Sequence, residues 1–387
     1  MNIAVIDISG KVYKYDEALC ASIADAMVAT DRFIFACPYS CINKNAKRLK
    51  LCSLVPARFR SSTRLWKRLL KMLEGIVNYL IILCYIKRED IHILHLQWLP
   101  FLEFCLFEKY WLRIVRRVHP NIQIILTVHN IYPHNSSASA QKAYKKRLQQ
   151  IIPLLDSWVV HTHNATERVH NEYGIPLEKI HTIHHGVFVP QIVIPKRQRT
   201  DSKIQFLLFG QQSRYKGTDL LIHAIAKLPT TIQDKITVRI IGSTDSSLFN
   251  AHIEQAETLG IEWKNKYIEE ADLMQAIQDS DVLLYPYRAI TQSGALLLGL
   301  YFQKPMIVSN LPAFAETLGE SYPDTLIVEP DNLDSLVNAI KQYVENPTDK
   351  QFIQTLAPTI IENNSWSKAA HKTIQLYKSL YQNDGTH

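Results

Sequence analysis

The sequence predicts an α/β protein built from two parallel-sheet domains in series. Short apolar runs rich in Ile, Val and Leu alternate with helical patterns throughout the 387 residues, as in βαβ units. A stretch at 187–200 with two prolines and three basic residues interrupts this alternation, which then starts again. At about 150 residues per domain, the length suits two domains. The chain is 47% apolar and 20% charged, which excludes disorder, a collagen-like repeat and a disulfide-stapled mini-domain.

In the first half, the buried-strand runs are 3–8, 33–36, 91–96, 122–128, 158–161 and 179–183. Helical spacing covers 18–29, 63–86, 104–118 and 138–155 between them. The second series has strands at 204–209, 236–241, 262–267, 282–285, 306–309 and 326–328, and helices at 218–227, 248–259, 271–280, 294–301 and 333–345. The domains are therefore set at 1–190 and 200–365, with a C-terminal helix at 366–387 that can pack back on the first. Rossmann-like sheets bind ligands beyond the carboxyl ends of their strands, so two in series imply a cleft between them.

The opening residues lack a basic region followed by a long apolar stretch, so they read as a strand and not a signal peptide. The longest apolar run, 76–86, contains Asn78 and falls short of the roughly 20 residues a spanning helix needs. A cytoplasmic protein, at most lying on a membrane, is expected. Cys20, Cys37, Cys41, Cys52, Cys84 and Cys105 form no Cys-x-x-Cys pair and read as reduced core thiols. Residues 1–195 carry 25 Lys and Arg against 14 Asp and Glu, a balance of +11, whereas 196–387 carry 18 against 22. No acidic residue stands between Asp31 and Glu74, where ten lysines and arginines lie from Lys44 to Lys71. Such a block fits an anionic membrane surface, a phosphorylated lipid or nucleic acid, and equally a solvated basic face.

The twelve glycines never spell Gly-x-Gly-x-x-Gly; Gly10 is the lone glycine after the first strand, which argues against a dinucleotide cofactor. The second half offers phosphate chemistry. After 204–209 comes Gly210-Gln211-Gln212-Ser213-Arg214-Tyr215-Lys216-Gly217, with cations between two glycines that let an anion approach. After 282–285 comes Pro286-Tyr287-Arg288-Ala289-Ile290-Thr291-Gln292-Ser293-Gly294, opening a helix whose N-terminal N–H groups can hold an anion. Alone, the first reads equally as a charged turn and Ser293 as an N-cap. Asp279-Ser280-Asp281 reads as a helix-to-strand boundary, and His181, His184 and His185 have helical metal spacing but fall on a strand and turn with no carboxylate or cysteine nearby in sequence.

These segments, with 303–309 and His184-His185-Gly186, resemble the donor domain of group-1 glycosyltransferases of the GT-B fold, of the kind that build bacterial polysaccharides. His95-Leu96-Gln97-Trp98 and the stretch Thr127 to His134 resemble their acceptor domain. The resemblance spans most of 90–320 in family order and implies two Rossmann-like domains facing each other across a cleft. It implies a nucleotide-diphosphate sugar in the second domain, an acceptor in the first, and transfer without a cofactor or an essential metal. By position, Gly210, Gln211, Arg214, Lys216, Arg288, Thr291, Gln292, Ser293 and Gly294 would hold the donor, and Glu316 would stand near it. His129, at a strand end, would be the catalytic base, since an imidazole with pKa near 6.5 suits removal of a hydroxyl proton; in retaining members a histidine there touches the donor sugar instead. Gly10, His95, Trp98 and His134 would lie on the acceptor side; Trp98 reads equally as core.

The sequence departs from the family in two respects. Ile290 and Leu298 stand where retaining members carry glutamates, and Gln211 stands where an arginine is common, with Arg214 as substitute. The first leaves the anomeric outcome open. Arg58, Arg60, Arg64, Trp66, Lys67, Arg68 and Lys71 mix cations with apolar residues and suit an anionic leaflet. The acidic second half and the lack of a recognised motif argue against nucleic acid. The expectation is a glycosyltransferase on the inner face of a membrane, acting on a lipid-linked or glycan acceptor. The alternatives are a GT-B epimerase or phosphorylase and a non-catalytic glycan-binding member.

Overall fold

The computed structural model describes residues 1–28, 31–38, 49–54, 65–133, 136–190, 194–195, 202–347 and 351–384. It divides into two compact units: Met1–Gly186 with Asn364–His387, and Val187–Asn363.

The first unit runs β1 (Asn2–Ile6), α1 (Tyr13–Ala26), β2 (Arg32–Cys37), β3 (Leu49–Ser53), α2 (Leu65–Arg88), β4 (Ile93–Leu96), α3 (Phe107–Val118), β5 (Gln123–Thr127), α4 (Ala138–Gln149), β6 (Ser157–Val160), α5 (His163–Tyr173) and β7 (Ile180–Thr182). Its seven parallel strands lie in the order β3-β2-β1-β4-β5-β6-β7. Ala4, Ile6, Leu94 and Leu96 join a cluster with Tyr79, Leu112 and Val169 from α2, α3 and α5. The alternate residues Ile3, Val5 and Ile93 are buried on the opposite face, as the two-residue strand period requires.

The second unit runs β8 (Ile204–Phe209), α6 (Thr218–Lys227), α7 (Thr230–Gln233), β9 (Ile236–Ile241), α8 (Ser246–Thr258), β10 (Glu262–Lys264), α9 (Glu270–Asp279), β11 (Val282–Tyr285), α10 (Gly294–Tyr301), β12 (Met306–Ser309), α11 (Pro312–Leu318), β13 (Ile327–Val328), α12 (Leu333–Glu345) and α13 (Gln351–Asn363). Its six parallel strands lie in the order β10-β9-β8-β11-β12-β13. Asp281 stands between α9 and β11, where its Oδ2 accepts from Gln205 N at 3.0 Å and ties the strand entry to β8. The Asp-Ser-Asp triplet is thus a boundary device. The chain then re-enters the first unit as α14 (Trp366–Asp384), which packs against α1. Tyr377 on α14 reaches the sheet, with its OH 2.6 Å from His95 Nδ1.

Three expectations are corrected. β3 was not expected; Lys50, counted in the basic block, is part of a paired strand. Cys84 and Cys105 are exposed, whereas Cys20 and Cys37 are buried thiols; Cys41 lies outside the described residues. Helix α13 carries Pro358 inside it and was not expected. Among the described residues, no helix is long and apolar enough to cross a membrane.

Candidate functional site

In the second unit the chain leaves β8 for β9 on one side and places β11 on the other, and ligands of such sheets bind at this reversal. The loops leaving β8 and β11 meet there. Arg288 N donates to Tyr215 O at 2.7 Å, and Gly217, at φ +72°, sits so close that a Cβ would lie 2.0 Å from Pro286 O. Gly210 leaves β8 at φ +91°, and a Cβ there would lie 2.8 Å from Lys216 Nζ. Glycine at both ends therefore serves backbone conformation and close approach together.

Lys216 is the chemical centre of this loop. It is 7% exposed, its Nζ donates to Phe209 O at 3.1 Å and lies 5.4 Å from the Tyr287 ring centroid. Burial lowers its pKa to about 8. An anion beside it would compensate for the hydration that burial removes and favour the charged form. Gln212, which sequence reasoning passed over, braces the loop: its Nε2 donates to Gly210 O at 2.7 Å and its Oε1 accepts from Thr218 Oγ1 at 2.8 Å. Only its burial reveals this.

Gln211 and Arg214 are exposed on the same loop, and Thr291 and Gln292 are half-buried beyond β11. Ser293 caps α10, its Oγ accepting from Leu296 N at 3.2 Å, and Gly294 is the first helical residue. Arg288 is engaged within the protein, with Nη1 and Nη2 on the Asp219 carboxylate at 2.7 and 3.0 Å. Its Nε also reaches Asp331 at 2.6 Å and its Nη1 reaches Arg214 O at 2.6 Å. It locks the two loops together. Glu316 is half-buried on α11, and Leu298 is core.

The corresponding reversal in the first unit falls between β1 and β4. Asp7 ends β1 in a tight acidic turn: its Oδ1 accepts from Ser9 N, Ser9 Oγ and Gly10 N at 2.8 to 2.9 Å. Gly10 adopts φ +61° to make this possible. Asp16, on the first turn of α1, is fully buried, and its pKa is raised well above the usual carboxylate range by burial and by Asp7. Beyond β4, Trp98 is half-buried with Lys11 Nζ 4.0 Å from its ring centroid.

His129 follows β5 and is half-buried. Its Nε2 lies 3.3 Å from Gln97 Oε1 and its Nδ1 lies 3.2 Å from His161 Nε2. Trp98 stacks on it at 6.3 Å and Tyr15 meets it edge-on at 4.8 Å. His161 Nδ1 donates to Ile183 O at 2.9 Å. Since burial pushes the His161 pKa down to about 4, the ring is neutral at pH 7 and its Nε2 accepts from His129 Nδ1–H. Burial and the neighbouring imidazoles His161, His185 and His95 also hold the His129 pKa well below its ordinary value. Neutral His129 therefore has its lone pair on Nε2, facing Gln97. The 3.3 Å contact with Gln97 Oε1 becomes a hydrogen bond only when Nε2 itself carries a proton. His95 is buried, bonds Tyr377 and Thr127 Oγ1, and has its pKa pushed to about 3; it supports the strand end from within. Trp98, His129 and Asn130 line a pocket with Leu99, Glu103 and Tyr144.

His134, Arg58, Arg60 and Arg64 lie outside the described residues. Trp66, Lys67 and Arg68 fall on the first turns of α2 with side chains outside the description, and Lys71 is exposed on that helix.

A family model described as glycosyl transferases group 1 matches residues 191–373, and one described as glycosyltransferase family 4 matches residues 50–189. The chain belongs to the group-1 glycosyltransferases. The first of these matches spans the Lys216 loop and α10, and the second spans His95, Trp98 and His129. This group-1 chain is 25% identical over 205 residues to a GDP-mannose:glycolipid 4-beta-D-mannosyltransferase of Xanthomonas campestris, a match covering 51% of the chain and 54% of the relative. It thus spans about half the length of that curated relative. Among solved structures, a glycosyltransferase from Rickettsia africae is similar over 99% of this chain and 98% of its own, at TM-score 0.70 and 17% identity. Anabaena HepE in complex with UDP and glucose is similar over 98% and 100%, at TM-score 0.68 and 13% identity. These show the GT-B fold for the group-1 chain.

Proposed function

We propose that this protein transfers a sugar from a nucleotide-diphosphate donor to a hydroxyl of a lipid-linked or glycan acceptor in the building of a cell-surface polysaccharide. The observation that carries the reading is the buried cation Lys216 on a glycine-bounded loop, braced against the loop that opens α10. In this reading Lys216 and the first N–H groups of α10 neutralise the diphosphate. They do so without an essential metal or another cofactor.

The bond from the anomeric carbon to the diphosphate oxygen breaks, and its electron pair leaves with the nucleoside diphosphate. The acceptor oxygen forms the new glycosidic bond, and its proton passes to His129 Nε2. Gln97 Oε1 then accepts from the imidazolium. Trp98 offers an aromatic face to the acceptor. The names of similar proteins support both substrates: one carries GDP-mannose and a glycolipid, another a complex with UDP and glucose. A lipid-linked acceptor places the work on the cytoplasmic face of a membrane, with the basic stretch from Arg58 to Lys71 against anionic lipid.

Thermal unfolding with UDP, GDP, ADP and CMP, each with and without magnesium, is the first test. A ligand at about 100 times its Kd adds roughly 2.7 kcal/mol to the folded state. A shift with one diphosphate, indifferent to magnesium and lost in Lys216→Ala, supports the donor site and names the base. Ile290 and Leu298, where carboxylates are common in retaining members, favour a second reading as a non-catalytic binding member. Donor binding with no transfer in any acceptor mixture would select it. Unchanged transfer by Lys216→Ala would sink the donor-site assignment.

A further inference from the structure

Helices α2 and α3 lie side by side in the first unit, joined by Trp111 Nε1 donating to Tyr79 O at 3.0 Å and by the two rings at 4.8 Å. Their inward faces are buried, but their outward faces are apolar. Of thirteen exposed large apolar side chains among the described residues, eight fall between Met72 and Val118. On α2, Leu73, Val77 and Leu80 are 54%, 43% and 55% exposed, a stripe at helical spacing. On α3, Tyr110, Ile114 and Val118 form a second stripe, and Phe104 just before it is 77% exposed.

Scattered apolar residues need no explanation, but a patch of this density marks an interaction surface. Its charges show the kind of partner. Lys71, Lys87, Arg113 and Arg117 are exposed along the same two helices. The two helices carry two carboxylates, Glu74 and Glu108: the first is half-buried and the second buried beneath Tyr79. Apolar residues flanked by cations, with the exposed acid at their edge, Asp90, held against His119 at 2.9 Å, match an anionic lipid leaflet.

We infer that the outward face of α2 and α3 is the surface by which this protein lies on an anionic membrane, Phe104, Leu73, Leu80 and Ile114 entering the acyl boundary and Arg113 and Arg117 meeting the headgroups. This deepens the membrane part of the proposed function and moves it from the stretch around Arg58 to a packed helix pair. Glu103, which precedes Phe104, lines the pocket of Trp98 and His129. The face is thus joined to the acceptor side by one residue of chain.

The test is flotation of the full chain with vesicles of phosphatidylcholine alone or with one-third phosphatidylglycerol, with sedimentation velocity for oligomeric state. Neither donor nor acceptor is present, so failure here leaves the transferase reading intact. Wild type should bind the anionic vesicles and lose binding at high salt. Arg113→Gln/Arg117→Gln should weaken binding about thirty-fold, two cations at about 1 kcal/mol each. Leu73→Ser/Leu80→Ser should weaken it more than tenfold, with thermal unfolding confirming that both variants fold. No binding, equal binding to both vesicles, or unchanged binding by both variants would overturn the inference. So would a dimer in solution that Leu73→Ser/Leu80→Ser dissolves, because a second copy would then be the occupant.

Discussion

Glu108 offers a quantitative test of the first unit's packing. Its carboxyl is fully buried at the start of α3, accepting from Phe101 N at 2.6 Å and Tyr79 OH at 3.0 Å. Burial outweighs these bonds and raises its pKa from 4.5 to about 7. The folded state therefore holds a proton that the unfolded chain releases near pH 4.5, and between those values stability falls as pH rises. A rise of about 2.5 units at 1.36 kcal/mol each amounts to about 3 kcal/mol, present in full below pH 4.5 and gone above pH 7. Glu108→Gln replaces the neutral acid by an amide of the same shape that cannot titrate. Urea unfolding of both proteins at pH 5, 6, 7 and 8 isolates the effect, because every other titrating group cancels in their difference. At pH 5 the variant should be equal or slightly weaker. By pH 8 it should have gained about 3 kcal/mol relative to wild type. A difference that stays flat across this range would refute a buried protonated Glu108.

Lys216, with its pKa near 8, makes two opposite pH statements. Diphosphate affinity should fall as pH rises through 8, by up to about thirty-fold at pH 9.5, measured by titration calorimetry with the nucleotide that binds. Stability of the second unit should meanwhile rise between pH 8 and 10.5, because the unfolded chain there holds the extra proton. Gly217→Ala places a Cβ 2.0 Å from Pro286 O and should cost more than about 2 kcal/mol in thermal or urea unfolding. Gly174→Ala, at a similar φ but with nothing within 4 Å, should cost only about 1 kcal/mol. Tyr377→Phe removes the partner of His95 Nδ1 and should cost about 1 to 3 kcal/mol, read by denaturant unfolding.

What the sequence could reveal follows from the range of each signal. β8, β11 and β12 are buried on both faces over most of their length, so each is a nearly continuous apolar run, and their limits could be read directly. β3 reads Leu-Lys-Leu-Cys-Ser among cations with no turn residue beside it, and its strand character comes from pairing with β2. Pro358 hides α13 because proline ordinarily ends a helix. At the candidate site, Gly210 and Gly217 were legible because their glycines stand at a strand end and a helix start. Arg288 was singled out for the donor, but its bond to Asp219, 69 residues away, could not be read. Asp7, Asp16, Gln97 and His161 look in sequence like ordinary caps or strand ends. Only the sheet order brings them to one place.

The return of α14 to the first unit has a consequence for synthesis. Val187–Asn363 must be translated in full before the helix that packs on α1 and supplies Tyr377 to His95 exists. At roughly 5 to 20 residues per second, that interval is on the order of ten to thirty seconds. During it the second unit's chain is being made, while the first waits without the helix that packs on α1. A nascent chain is therefore most open to chaperones and proteases along α1, and its last helix closes a unit begun with its first strand.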